Sequence, residues 1–270
     1  MTPPYGVGIG WRSEIAGAVA QLPGLRAVEV VAESIQEAVP PLLRALMDQR
    51  VAVIAHGVRL SLGSADPVDP ARVTRFAATA ALVEAPLVSE HIAFVRAGGV
   101  EAGHLLPLPR TAAAVDAVVR NVRRVQAELS VPLALEPIAA LFDWPDDAMT
   151  EADFLTEILE RTGCQLLLDV ANVYANARNR GTDPVALLDA LPLERIAYVH
   201  VAGGEEIGGL YHDTHAAAVP EPVLALLGEL CDRHRPPLVL LERDGHYPPA
   251  AHMRSELDAI ARVSGYPVIT

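Results

Sequence analysis

Short apolar runs alternate with longer segments in which apolar positions recur at helical spacing, and this alternation continues along the whole chain. The apolar runs predict strands over Tyr5–Gly10, Ala27–Ala32, Val51–His56, Pro86–Phe94, Pro132–Glu136, Gln165–Asp169, Arg195–Val201 and Pro237–Glu242. The segments between and after them predict helices near Ser13–Gln21, Ile35–Gln49, Pro70–Glu84, Thr111–Leu129, Thr150–Thr162, Pro184–Ala190, Glu221–Arg235 and Pro249–Val263. Strands with little polar alternation are buried on both faces, as in a parallel sheet covered by helices. Helix starts carry matching punctuation. Thr150-Glu151-Ala152-Asp153 has the pattern of a capping box, and Asp183-Pro184 sets a capping acid before a first-turn proline.

Eight strand–helix units in 270 residues give the count and length of an α/β TIM-type barrel. A doubly wound open sheet is the alternative, but no strand leads into a G-x-G-x-x-G turn, and the glycines of GVGIGW only end a strand. No linker rich in Ser or Gly and no low-complexity tract divides the chain, so residues 1–270 are expected to form one domain. Gly203–Ala218 reads as the longest polar loop near a strand end, a candidate active-site loop.

Composition narrows the chemistry. Hydrophobic residues make up 51% of the chain and charged ones 20%, as in a soluble protein with a large core. All 21 basic residues are arginine and there is no lysine. That excludes Schiff-base aldolases, pyridoxal phosphate enzymes and Walker-type phosphate loops, each of which needs the amine. With 34 acidic residues the net charge is −13, which repels phosphate backbones, and 4% aromatic residues are too few for base stacking. No nucleic acid partner is expected. Cys164 and Cys231 are far apart and outside any CxxC, so they read as buried, inert thiols. MTPPYGVGIGW has no basic region followed by an apolar core, and no apolar stretch is long enough to span a membrane. A cytoplasmic location is the default expectation.

In barrels of this type chemistry gathers at the carboxyl ends of the strands. Six successive predicted strands, the third to the eighth, end in metal-ligand types: His56, then Ser89-Glu90-His91, Glu136, Asp169 with Asn172 close behind, His200 and Glu242. Asp213-Thr214-His215 follows in the long loop. One such residue is ordinarily a helix cap or a satisfied polar group. A ring of them at one mouth would repel itself unless cations neutralise it. Nitrogen and oxygen donors without sulfur suit two or three ions of iron, manganese or zinc. His104, His234 and His252 read as solvated, while His212 and His246 either line the mouth or lie on the surface. Glu29 and Glu33 flank the second strand end, where they either orient ligating imidazoles or serve as caps or surface groups. Arg12, Arg243 and Asp244 lie at the same face, where they either hold a substrate carboxylate or pair with one another.

The segments GVGIGWR at 6–12, AHGVRLSLGS at 55–64, PLVSEHIAF at 86–94, LLPLPRT at 105–111, LALEP at 133–137, GCQLLLDVANVYANARNRGTDP at 163–184, YVHVAGG at 198–204, HDTH at 212–215 and LLERD at 240–244 run in a familiar order. The chain resembles the multinuclear non-heme iron-dependent oxidative enzymes, the group that includes the methanobactin-maturing and thiaglutamate-pathway enzymes. The resemblance implies a TIM barrel with two or three irons in mixed Fe(II)/Fe(III) states. It places their ligands at His56, His91, Glu136, Asp169, Asn172, His200, Asp213, His215 and Glu242. It further implies that dioxygen is the co-substrate and that a cysteine of a ribosomally synthesised peptide is oxidised. Glu90, Asn176, Arg12, Glu29, Glu33, Arg243 and Asp244 are then substrate-contacting or ligand-orienting candidates. The family pattern LEN is Leu135-Glu136-Pro137 here, LDVNN becomes Asp169-Val170-Ala171-Asn172 at its end, and Gly204 stands where a histidine is common. None of these departures removes a proposed ligand; they bear on the substrate and the reaction.

Family members often work with a small protein that recognises the peptide leader. Here every segment is used by the barrel, so either a separate partner or recognition on an edge of the barrel is the expectation. Two other classes compete with this reading. A xylose-isomerase-like isomerase or epimerase, or an endonuclease-IV-like hydrolase, also sets Glu, Asp and His at strand ends. Xylose isomerases use a lysine that this chain lacks, epimerases need fewer ligands, and the net charge disfavours a grip on DNA. The other is a non-catalytic, metal-binding barrel.

Overall fold

The computed structural model describes residues 4–269. Residues 1–3, the start of the segment read for a targeting signal, and residue 270 lie outside the described residues. The chain begins with β1 (Gly6–Trp11), α1 (Ala16–Val19), β2 (Ala27–Val31), α2 (Pro41–Asp48), β3 (Ala52–Gly57), α3 (Pro70–Leu82) and β4 (Val88–His91). It continues with β5 (Phe94–Ala97), β6 (Val100–Leu106), α4 (Ala112–Gln126), β7 (Leu133–Glu136), α5 (Glu151–Thr162), β8 (Gln165–Asp169), α6 (Val170–Arg180) and α7 (Pro184–Ala190). β9 (Ile196–Val201), β10 (Gly203–Ile207), β11 (Leu210–Ala217), α8 (Glu221–Arg233), β12 (Leu238–Leu241) and α9 (Ala250–Ser264) complete it.

The strands β1, β2, β3, β4, β7, β8, β9 and β12 pair in parallel and close on themselves, β1 meeting both β2 and β12. This is the expected eight-stranded barrel, and the open-sheet alternative is excluded by the β1–β12 pairing. The apolar residues split into two clusters. The larger joins helix faces to the outward side of the strands. The smaller includes Ala27, Ile54, Leu87, Ala134, Leu167, Tyr198 and Leu240, one from each of seven strand segments, and fills the barrel interior. Side chains on a strand return to the same face every second residue. Two positions further along these segments stand Glu29, His56, Ser89, Glu136, Asp169, His200 and Glu242, all buried. The interior is therefore apolar below and polar at the mouth. β1 contributes little bulk, because a β-carbon on Gly8 would lie 2.3 Å from the Ala27 carbonyl oxygen and 2.4 Å from a Leu240 methyl.

Several boundaries differ from expectation for local reasons. The helix expected over Ile35–Gln49 starts at Pro41, which fits a first helical turn but not its interior. The first helix is a single turn, Ala16–Val19. The fourth strand stops at His91, and Phe94 opens the β5–β6 hairpin. Gly203–Ala218 is largely the β10–β11 antiparallel hairpin rather than a loop. α6 is not among the expected helices; Asp169 caps it, its Oδ1 accepting the Ala171 and Asn172 N–H groups. Among the described residues no helix is long and apolar enough to cross a membrane.

The loop that follows His56 is held from outside by Asn121 of α4. The buried Asn121 amide donates to the carbonyls of Leu62, Ser64 and Asp66 at 3.0, 2.9 and 3.3 Å and accepts the Val68 N–H. Asn121→Ala leaves these backbone groups without partners and is expected to cost about 2 kcal/mol of stability. Urea unfolding measures this, and an unchanged midpoint would refute the clamp.

Candidate metal centre

The barrel carries six of the expected residues to one rim. His56 is the last residue but one of β3, His91 ends β4, Glu136 ends β7, Asp169 ends β8, His200 lies near the end of β9, and Glu242 follows β12. Asp213 and His215 come from β11, which folds the hairpin back over the rim. His215 adopts φ +52°, a left-handed conformation that costs a non-glycine residue about 1–2 kcal/mol. There its ring meets Asp213, Asp169 and Glu242.

The distances describe one continuous cluster. Glu136 Oε2 lies 3.5 Å from His56 Nε2 and 3.2 Å from His91 Nε2. Glu136 Oε1 lies 3.2 Å from His200 Nδ1, which is 3.0 Å from Glu242 Oε2. His215 Nε2 lies 2.6 Å from Asp213 and 3.5 Å from Asp169, while its Nδ1 is 3.3 Å from Glu242. Donor atoms sharing one first-row cation at about 2.1 Å are themselves roughly 3–3.5 Å apart. Four overlapping triads have donor atoms within 4.8 Å of one another: His56–His91–Glu136, Glu29–His200–Glu242, Glu136–Asp169–His200 and Asp169–His215–Glu242. Glu136 Oε2, Asp169 Oδ2 and Asp213 Oδ1 are buried and accept no hydrogen bond. Buried carboxylate oxygens without a donor are costly, and a cation satisfies them.

Without cations, protons fill that role. Burial is the largest influence on His91 and opposes its charge, yet Glu136 and Glu90 outweigh it and push its pKa up to about 9. Burial likewise opposes charge on His200 and His215, but Glu29, Glu242 and Asp213 hold both well above the usual range. Burial instead wins at His56, which is brought down to about 3 despite Glu29. Burial raises Asp213 to about 6 against the pull of His215. Glu242 resists burial because His200 and His215 keep it well below the carboxylate range.

The remaining expected residues divide clearly. Asn172 is buried beside the cluster, its amide donating to the Pro137 carbonyl at 3.2 Å. Asn176 holds the β7 loop instead, accepting the Ala140 N–H at 2.8 Å and donating to Ile138 O. Glu90 accepts the N–H groups of Leu60 and His91. Glu29 reaches His200 Nε2 at 3.0 Å. Glu33 binds the Val58 N–H rather than any imidazole. Arg12 pairs with Glu242 and Asp244 at 3.1 and 2.6 Å, so it has no free charge for a substrate anion. Arg243 is buried, its guanidinium gripping Glu256 at 2.7 Å and donating to the Ala216 carbonyl, and it is not among the residues that line the mouth cavity. His212 lines the mouth; His104 is exposed, as expected, at the edge of the same cavity, and His246 is exposed and does not line it. Cys164 is buried and Cys231 half-buried, and burial pushes both thiols up to about 11, so neither is a thiolate at neutral pH.

Sequence reasoning missed Tyr198, two residues before His200 and thus on the same interior face; strand periodicity was the available signal. It also missed the apolar wall of the mouth. The cavity, about 640 Å³, sets Leu105, Leu106, Ile138, Leu141 and Phe142 opposite the polar cluster.

Residues 6–264 match the family described as RiPP precursor modification enzyme MbnB/TglH/ChrH. The chain belongs to that family. A UPF0276 protein of Streptomyces avermitilis is 52% identical over 265 residues, covering 95% of this chain and 54% of the relative, so the chain spans about half that protein's length. A UPF0276 protein of Caulobacter vibrioides is 38% identical over 210 residues, with 78% and 75% covered. Among solved structures, endonuclease IV of Thermus thermophilus superposes with a TM-score of 0.62 at 20% identity, covering 95% of this chain and 99% of that one. The 3-keto-D-glucoside 4-epimerase YcjR of E. coli gives 0.61 at 14% identity, covering 97% and 99%. These two show the shared xylose-isomerase-like fold.

A proton on His91 must leave before Nε2 can bind a cation. The zinc(II) affinity of the metal-free chain is therefore expected to rise from pH about 6, where Asp213 ionises, to about 9, where His91 loses its proton. Competition titrations at several pH values check this; a flat profile would contradict the assigned protonation.

Proposed function

We propose that this chain is an iron- and dioxygen-dependent oxidoreductase that modifies a cysteine of a ribosomally synthesised peptide. The observation that carries the reading is the set of undonated carboxylate oxygens on Glu136, Asp169 and Asp213, facing His56, His91 and His215 at the mouth. His56, His91 and Glu136 would hold one iron. Asp169, Asp213, His215 and Glu242 would hold a second, and His200 and Asn172 are the remaining ligand candidates. Bound iron supplies a Lewis acid that favours a thiolate and a redox partner for dioxygen.

The chain's own residues do the rest. His91 Nδ1 faces the Gly57 carbonyl at 3.3 Å; a carbonyl only accepts, so the N–H points there and Nε2 faces the cluster. Leu105, Leu106, Ile138, Leu141 and Phe142 supply an apolar wall against which peptide side chains pack and exclude water. Arg12, held by Glu242 and Asp244, offers no free cation for a phosphate. That arrangement supports a peptide over a phosphodiester substrate. A separate leader-recognition protein completes the reading, and co-purification with proteins encoded beside this chain tests it.

Two measurements test the function. Anaerobically purified protein should contain iron and show ferric charge-transfer absorption in air, and His91→Ala and Glu136→Gln should each lose roughly one cation per chain. With a cysteine-bearing precursor peptide, the iron-loaded protein should consume dioxygen, and the Cys→Ser peptide should stop that consumption. Zinc content with no dioxygen uptake would overturn the oxidase reading in favour of a hydrolase.

A further inference from the structure

Beneath the rim, inside the barrel, four polar side chains from four strands touch in series. Glu29 of β2 lies 2.6 Å from the Tyr198 hydroxyl of β9, Tyr198 lies 2.6 Å from Ser89 Oγ of β4, and Ser89 lies 2.7 Å from His56 Nδ1 of β3. The far side of Glu29 meets His200 Nε2 at 3.0 Å from both carboxylate oxygens. All five residues are at most 3% exposed, so no water competes.

Proton counting gives this chain a direction. The Glu29 carboxylate only accepts, so both Tyr198 O–H and His200 Nε2–H donate to it. The single Tyr198 proton is then engaged, and its oxygen must accept from Ser89. The Ser89 proton is engaged in turn, so Ser89 Oγ accepts from His56 Nδ1–H. We infer that Glu29, acting directly on His200 and through Tyr198 and Ser89 on His56, fixes which nitrogen of each imidazole a cation meets: Nε2 on His56 and Nδ1 on His200. His56 is left with a bare Nε2 toward Glu136, while on His200 the proton on Nε2 is kept by Glu29 and the one on Nδ1, between Glu136 and Glu242, is the one that an arriving cation displaces. Tyr198 and Ser89 are positioning residues: they touch no proposed cation, yet they decide which nitrogen can bind one. The inference rests on cations binding at the mouth and on neither iron nor dioxygen, so a failed oxidase assay leaves it standing.

Removing Tyr198 Oη has a particular consequence. In Tyr198→Phe the Ser89 hydroxyl is released and can donate to His56 Nδ1, which stabilises the wrong tautomer. In Ser89→Ala no competing donor remains. The metal-free full chain is titrated with cobalt(II), reading the visible ligand-field bands, with His56→Ala identifying the band of the His56 site. Tyr198→Phe is expected to weaken that site by about 10–100-fold while the other sites keep wild-type affinity. Adding Ser89→Ala to Tyr198→Phe is expected to restore part of the loss, which a purely structural role would not do. Wild-type affinity in Tyr198→Phe, or a double variant weaker than both singles, would overturn the inference. Nitrogen-15 histidine spectra of the metal-free wild-type chain test it without any substitution. They should show a neutral His56 whose single proton is on Nδ1, and a proton on its Nε2 instead would also overturn the inference.

Discussion

Five carboxylates, Glu29, Glu136, Asp169, Asp213 and Glu242, converge at one end of a barrel from which water is largely excluded. Two like charges 4 Å apart repel by about 4 kcal/mol at the effective dielectric of a partly buried site. Four imidazoles interleaved among the acids reduce that repulsion only when they carry protons. The opposed pKa movements of His56, down to about 3, and His91, up to about 9, show that the imidazoles do not share the load evenly. A set of side chains that is frustrated without positive charge, and compact enough to share it, makes cations the natural counterpart of this mouth.

The barrel keeps that frustration local. Strand periodicity places each polar residue two positions beyond an apolar one: Ile54 then His56, Ala134 then Glu136, Leu167 then Asp169, Leu240 then Glu242. The lower interior packs as an ordinary core while the rim bears the strain. Functional positions are thereby held by backbone whose stability comes from elsewhere, in the cluster that joins strands to helices.

Much of this was legible in the sequence. Eight apolar runs, six of them with His, Asp or Glu at or near their ends, specified both the barrel and most of its rim, because strand ends in such a fold meet at one place. Asp213 and His215 were legible as residues but not as a hairpin, since polar antiparallel strands carry no apolar signature. α6 was hidden for a similar reason: NVYANARNR is too polar to show an apolar stripe, and its start is set by Asp169, whose two oxygens serve the helix and the mouth separately. Arg12 and Arg243 could not be sorted by position. Only the partners at hand, Glu242 and Asp244 for one and Glu256 for the other, show that neither is free.

The rim has two origins. One half is rooted in barrel strands whose register is fixed by neighbours on both sides, whereas Asp213 and His215 hang from a two-stranded ribbon with no partner beyond itself in the sheet. A change in the length or tilt of that ribbon re-aims two donors at once and leaves His56, His91 and Glu136 where they are. Divergence among such proteins can thus alter one cation's surroundings as a unit, with the other held constant by the architecture.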